Sequence, residues 1–412
     1  MKILQVNNYH FRKGGSESVY FETSKLLEEH GHEVIHFSVN DINALDSKTK
    51  KYFVDPHEFM DNTVVNKILS IPKFFYSFES AKKLKILLEK EKPDIVHLHI
   101  FYSRLTSSIL PVLKKYNVPV VMTVHEYKML CPMYLFMDNN GNICEKCANG
   151  NTLHCIINKC NKGNLAYSII SSLEAKFRDW FFPYEKYVDH FIMVSEFIKN
   201  KHLAYKPEIK DKTSIIHNFV DSNRFQEKII LGEYYLFFGR LSVEKGILEL
   251  IDKWIYLDEK IKLIIVGTGP LENTIKEHIQ ENNLNNILLV GAKYDEELLQ
   301  YVQNAKYVIF PSKVYETFGL GILESFACAK PVIAANIGNF SNLVEENKTG
   351  FLFNLDKEED LIKKINQAEA LSLSSYIEMS KNTTKIASLY SKKEYYHKIF
   401  TLYNLLINNK RK

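Results

Sequence analysis

Along most of the chain, short runs rich in β-branched residues alternate with longer amphipathic stretches. In the first half the runs are Lys2–Val6, Glu33–Val39, Asp94–His97, Val118–Val124 and His190–Val194, and Thr213–His217 is also strand-like. In the second half they are Tyr234–Phe238, Lys262–Val266, Ile287–Val290, Tyr307–Phe310 and Pro331–Ala334. Strands separated by helix-length segments predict parallel sheets covered by helices, and each series is long enough for its own doubly wound sheet. The boundary is expected near Asn218, giving an α/β chain with one domain over 1–218 and a second over 219–390. Tyr395, Ile399, Leu402 and Leu406 recur at helical spacing, so 391–412 is expected to be a terminal helix. Two regions break the alternation: a Lys- and aromatic-rich segment, Val64–Lys92, and a Cys-bearing insertion from Cys131 to Cys160.

Composition agrees with two domains, because 412 residues exceed one ordinary core. A hydrophobic content of 46% with 25% charged residues is that of a soluble globular protein. The net charge of +4 is small and no nucleic-acid-binding signature accompanies it, which argues against a nucleic-acid partner. No apolar run approaches the ~18 residues of a membrane span. The start, Met1 to Asn8, turns polar too early for a signal peptide, so a cytoplasmic location is expected. In that compartment six cysteines suggest thiols or a metal rather than a disulfide framework.

The richest stretch runs from Tyr315 to Ala327, where Glu316 and Glu324 stand eight positions apart around a Gly-containing turn. At a helix start the pair would be about 12 Å apart, at ~1.5 Å per residue. That suits the two ends of a nucleotide sugar, one carboxylate on sugar hydroxyls and the other on the ribose. The amides of Phe318, Gly319 and Leu320 would then lie at a helix N-terminus, where a pyrophosphate binds well. Two surface glutamates on an amphipathic helix would look the same in isolation; the rest of the second half decides otherwise.

Strand Tyr234–Phe238 runs into Gly239-Arg240-Leu241-Ser242-Val243-Glu244-Lys245-Gly246. Arg240 and Lys245 are therefore expected at a strand's C-terminal edge, where open α/β sheets bind ligands, and together they could clamp a pyrophosphate. Gly267-Thr268-Gly269-Pro270 and Gly291 follow the next two strands on the same side. They either leave room for a nucleotide or are tight turns.

In the first half, Gly14-Gly15 opens a helix after the first strand, a turn that lets backbone amides approach a ligand. It is not GxGxxG, and the acidic residue of a dinucleotide site is missing, which counts against a dehydrogenase. His97, His99 and His125 end two strands, and no GxSxG accompanies them as a hydrolase would require. Cys131, Cys144, Cys147 and Cys160, with Cys155 and His154 nearby, either hold a structural Zn²⁺ or are reduced packing thiols. Ile68 to Phe78, followed by Lys82, Lys83 and Lys85, reads as an interfacial helix on anionic lipid or as an amphipathic helix packed on the sheet.

Taken in order, Gly14-Gly15, His125, Asn218-Phe219-Val220-Asp221, Gly239-Arg240 with Lys245-Gly246, Gly267 to Pro270 and Glu316 with Glu324 resemble the retaining GT-B glycosyltransferases of family 4. The Cys-bearing insertion resembles capsular and exopolysaccharide members. The resemblance implies two Rossmann-like domains facing a cleft, with a C-terminal helix crossing back to the first. It implies a UDP- or GDP-sugar donor, a saccharide or lipid-linked acceptor, and no cofactor for catalysis. Glu316 would meet the donor sugar, Glu324 the ribose, Arg240 with Lys245 the diphosphate, and His125 the reacting sugar. Gly14, Gly15, Gly239, Gly267, Gly269, Phe318, Gly319 and Leu320 would line the donor. Two departures stand out: Glu126 replaces the usual Asp after the His, and Phe219 the usual Gly after the Asn. A sugar-nucleotide epimerase or hydrolase of the same fold, or a silent binding subunit, are the competing readings.

Overall fold

A computed structural model describes residues 1–56, 71–221 and 229–411. The chain divides into two units. One comprises Met1–Asn139, Cys144–His217 and Lys393–Lys412; the other comprises Asn140–Ile143 and Asn218–Lys392.

In the first unit, β1 (Lys2–Tyr9), β2 (Glu33–Val39), β3 (Ile95–Leu98), β4 (Val120–Val124), β5 (His190–Met193) and β6 (Thr213–Ile215) form one sheet in the order β2-β1-β3-β4-β5-β6. All of its pairings are parallel. Parallel strands need crossover connections, and the helices that supply them cover both faces. This explains why β3 and β4 are buried at every position. It also means that polar residues on them, His97 and Thr123, must find partners inside. They find each other, His97 Nε2 to Thr123 Oγ1, at 2.7 Å.

The terminal helix, Lys392–Arg411, belongs to this unit over nearly its whole length. Tyr395 and Tyr403 bury the apolar stripe read from the sequence and carry hydroxyls inward, to Thr23 at 2.9 Å and to His97 at 2.7 Å.

The second unit orders β7 (Tyr234–Phe238), β8 (Lys262–Val266), β9 (Ile287–Leu289), β10 (Tyr307–Phe310), β11 (Val332–Ala335) and β12 (Gly350–Phe353) as β12-β11-β10-β7-β8-β9, again all parallel. Its core gathers Tyr235, Phe237, Trp254, Ile265, Tyr307 and Phe351. Strand order reverses between β7 and β10, and between β1 and β3 in the first unit. Doubly wound sheets bind ligands beyond the strand C-termini at such reversals. β12 escaped the sequence reading because its four residues, Gly-Phe-Leu-Phe, include no β-branched side chain.

Candidate functional site

In the second unit the loops after β7, β8, β10 and β11 are tied to one another by backbone. Leu241 N donates to Thr268 O at 2.9 Å, and Gly239 N to Val266 O at 3.0 Å. A Cβ at Gly267 would run into the Gly239 carbonyl, and one at Gly269 into that of Leu241. These two glycines are therefore required by the close approach of two loops. Lys313 N donates to Glu244 O at 2.9 Å, and a Cβ on Gly246, at φ 66°, would strike Pro311 O.

Glu316 is held from several sides. Its Oε1 accepts from Lys245 Nζ at 2.6 Å and from the Ser312 hydroxyl at 2.6 Å. Its backbone carbonyl accepts from Asn339 N at 2.8 Å, while Asn339 Nδ2 donates to Phe318 O at 2.7 Å. Gly338, at φ 61°, lies against the Glu316 backbone where no Cβ fits. The helix spans Leu320–Ala327 with Gly319 as N-cap, at φ 104° and with no side-chain cap. Glu316 thus precedes the helix by four residues, and the expected ~12 Å helical separation from Glu324 does not apply, since only Glu324 follows helical rise. The left-handed Gly319 is what turns the chain between them. Arg240 is exposed on the loop after β7, and Phe318 is buried with its ring edge-on to Tyr390 at 5.8 Å. Ser312, Gly338 and Asn339 were missed from sequence; small or polar residues just after β10 and β11 were the available signal.

In the first unit the C-terminal edge of the sheet is rich in polar residues. Asn7 and Asn8 end β1 and fix the loop after β3: Ile100 N donates to Asn7 Oδ1 at 3.0 Å, and Leu105 N to Asn8 Oδ1 at 3.2 Å. Gly14 caps the helix Gly15–Glu29, whose first turn carries Glu17. Glu17 is buried, accepting from the Ser16 hydroxyl at 3.1 Å and Asn7 Nδ2 at 3.5 Å. That helix N-terminus therefore already faces a carboxylate. His125 Nε2 lies 2.9 Å from His99 Nδ1. Burial pulls His125 down to about 4, so its imidazole is neutral near pH 7. Burial also pushes the Glu126 carboxyl up to about 8; Lys128 opposes this and Glu17 adds to it.

The zinc expectation for Cys131, Cys144, Cys147 and Cys160 is not met: among the described residues no three His, Cys, Asp or Glu side chains converge on a metal position. The thiols have other neighbours. Asn158 Nδ2 donates to Cys144 Sγ at 3.7 Å and Cys155 Sγ to Ser168 O at 4.0 Å, and the neighbouring Cys155 and Cys160 thiols shift each other's pKa, Cys155 up and Cys160 down. All six cysteines are free.

Of the segment expected to meet lipid, Ile68, Leu69 and Ser70 lie outside the described residues. Phe75 packs edge-on against Phe177 at 5.6 Å, whereas Phe78 is 80% exposed. Lys83 pairs with Glu79 at 2.8 Å and Lys85 with Glu89 at 3.9 Å, so two of the three lysines already have carboxylates. No helix among the described residues is long and apolar enough to cross a membrane.

Residues 13–224 match the family described as Glycosyltransferase Family 4, and residues 220–386 match Glycosyl transferases group 1. The chain belongs to glycosyltransferase family 4. It is 26% identical over 311 residues to an uncharacterised glycosyltransferase of Methanocaldococcus jannaschii, covering 74% of each chain. It is 25% identical over 278 residues to the N-acetylgalactosamine-N,N'-diacetylbacillosaminyl-diphospho-undecaprenol 4-alpha-N-acetylgalactosaminyltransferase of Campylobacter jejuni, covering 61% of this chain and 72% of that one. Among solved structures, the Anabaena HepE complex with UDP-glucose superposes at a TM-score of 0.68 with 18% identity, covering 98% of this chain and 99% of the other. The fold is GT-B, and the protein is a glycosyltransferase that uses a nucleotide sugar.

Proposed function

We propose that the protein is a retaining glycosyltransferase that moves a sugar from a UDP-sugar to a lipid-linked saccharide in the synthesis of a cell-surface polysaccharide. The observation that carries this reading is the Lys245–Glu316 pair, held by Ser312 beyond the strand C-termini, beside a helix N-terminus with no side-chain cap. Departure of a nucleoside diphosphate builds negative charge; Lys245, Arg240 and the amides at Phe318, Gly319 and Leu320 oppose it without a metal. Glu316 takes hydroxyls of the donor sugar, and Glu324, further along the helix, takes the ribose. The UDP preference follows the UDP-glucose complex of HepE, and the lipid-linked acceptor follows the Campylobacter relative's diphospho-undecaprenol substrate.

The first unit supplies the acceptor side. With Glu17 at its N-terminus, the Gly14-Gly15 turn suits a hydroxyl-bearing acceptor better than a diphosphate, because a second anion there would be repelled. His125 lies beside the reacting sugar. The protein works at the cytoplasmic face of the membrane, and the helix Leu165–Phe181 offers the contact. Leu165, Leu173 and Trp180 are 50%, 52% and 74% exposed, and with Ile169 they recur at helical spacing on one face.

The test is a panel of nucleotide sugars read by melting shift, followed by mass spectrometry of a diphospholipid-linked saccharide incubated with the best donor. A saccharide heavier by one sugar residue, with the new linkage in the donor's anomeric configuration, supports the proposal. Donor hydrolysis without transfer to any lipid-linked acceptor would sink it.

A further inference from the structure

Six buried or half-buried groups of the first unit form two short hydrogen-bonded series, Thr123–His97–Tyr403 and Gln5–His99–His125. Thr123 meets His97 at 2.7 Å, and His97 Nδ1 meets the Tyr403 hydroxyl at 2.7 Å. Gln5 Oε1 lies 2.8 Å from His99 Nε2, and His99 Nδ1 lies 2.9 Å from His125 Nε2. The side chains of Gln5, His97, His99 and Tyr403 are inaccessible to solvent.

The orientation of Gln5 sets every proton downstream. Its carbonyl end faces His99, with Oε1 2.8 Å from His99 Nε2. A carbonyl only accepts, so His99 Nε2 carries the proton. Burial keeps His99 neutral, which leaves its Nδ1 as an acceptor. His125 must then donate from Nε2, and its own Nδ1 holds the lone pair. Rotating the Gln5 amide by half a turn would reverse the series and give His125 an N–H at Nδ1.

We propose that Gln5 and His99 are positioning residues that lock His125 in its Nε2-protonated tautomer, so that Nδ1 meets a sugar hydroxyl as a hydrogen-bond acceptor. The part played by the sugar rests on the functional reading above; the lock itself rests on the Gln5–His99 and His99–His125 contacts.

Nuclear magnetic resonance of protein labelled with ¹⁵N at histidine tests the lock. Ring-nitrogen shifts and one-bond couplings report which nitrogen bears the proton, and the His125 signals are assigned by their loss in His125→Gln. The expected result is a proton on Nε2 of both His125 and His99. His99→Phe removes the acceptor, so His125 should become a tautomer mixture. In steady-state assays its kcat should fall on the order of tenfold or more, with donor KM within about twofold. His99→Asn, which can present an amide oxygen where Nδ1 stood, should restore the tautomer and most of kcat. Gln5→Leu gives an independent route should His99→Phe fold poorly, and should loosen the tautomers of both histidines. A proton on His125 Nδ1 in the wild type overturns the proposal, as does a His99→Phe enzyme with altered tautomer and wild-type kcat. The tautomer is read without substrate. Failure to transfer any sugar would therefore count against the assigned activity and leave the lock to be judged on its own signals.

Discussion

Lys245 Nζ stands 2.6 Å from Glu316 Oε1, so a cation assigned to the departing diphosphate and a carboxylate assigned to the sugar are partners before a donor arrives. Both are partly solvated, with side-chain exposures of 33% and 16%, which keeps the desolvation cost modest. The pairing sets the distance between the two roles. A donor that draws Lys245 toward its phosphates must give Glu316 hydroxyl partners in exchange.

Lys245→Ala should therefore lower kcat by about 10²–10³, the range for losing one stabiliser of developing charge. Glu316→Gln should lower kcat comparably while leaving the loop in place, because the backbone bonds from Asn339 remain. Arg240→Ala should act mainly on kcat, and Glu324→Ala mainly on donor affinity, by about 1.5–3 kcal/mol for a charge-assisted bond. Steady-state kinetics and donor titration on folded protein separate these effects; wild-type kinetics in any of the four would remove that residue from the site.

Gly267→Ala should destabilise the second unit by about 1–3 kcal/mol or more, because a Cβ there meets the Gly239 carbonyl in a backbone region closed to L-residues. Gly31→Ala, also at positive φ but with open space around the new methyl, should cost only about 1 kcal/mol. Urea unfolding of the two variants side by side checks the difference.

The raised Glu126 carboxyl makes a pH-dependent contribution to stability. A pKa raised on folding stabilises the fold fully below the unfolded value near 4.5, and that contribution is lost as pH rises through about 8. Glu126→Gln should leave stability at pH 4 little changed and raise it relative to wild type at pH 9, by an amount on the order of a few kcal/mol. Parallel unfolding curves with no such crossover would show that the carboxyl titrates normally.

Protein purified without added metal should contain less than about a tenth of an equivalent of zinc, since its thiols do not form a tetrahedral set. Among the clustered thiols Cys160 should be alkylated ahead of Cys155, because their mutual influence holds the Cys160 thiol below its usual pKa and raises that of Cys155. Peptide mapping after brief alkylation gives the order. A full equivalent of metal would reverse the assignment.

Sedimentation with vesicles should show binding that depends on the exposed face of Leu165–Phe181. Leu173→Glu with Trp180→Glu should reduce the bound fraction several-fold, since both side chains are largely exposed, at 52% and 74%. Retention of the double variant on anionic vesicles at low salt would move the contact elsewhere.

Much of the fold was legible because parallel strands buried on both faces leave a plain signal: Glu33–Val39, Tyr234–Phe238, Lys262–Val266 and Tyr307–Phe310 have the bounds read from sequence. The residues of the second-unit loops were legible too, since Gly, Arg, Lys and Glu punctuate strand ends. What could not be read was the partner of each. Nothing in the order of residues says that Gly267 faces Gly239, or that Asn339 holds the Glu316 loop across more than twenty positions. Nor does cysteine spacing reveal that the amide of Asn158 reaches Cys144, or that the Cys155 thiol donates to the Ser168 carbonyl. The histidines illustrate the gap best: single strand-end imidazoles in the sequence, they join two hydrogen-bonded series only once β1, β3, β4 and the last helix lie side by side.

That last helix has a consequence for synthesis. Residues Lys393–Lys412 belong to the unit that Met1 begins, with Asn218–Lys392 intervening. The hydroxyls of Tyr395 and Tyr403 fill places inside it that no earlier segment supplies. While the chain is being made, the first unit therefore lacks these two contacts until the second has been synthesised, so folding from the N-terminus cannot complete it before then. The second unit is the one able to mature first, and a chain shortened by its final twenty residues should reach the cell as a complete donor-side domain attached to an unfinished partner, a natural substrate for chaperones and proteases.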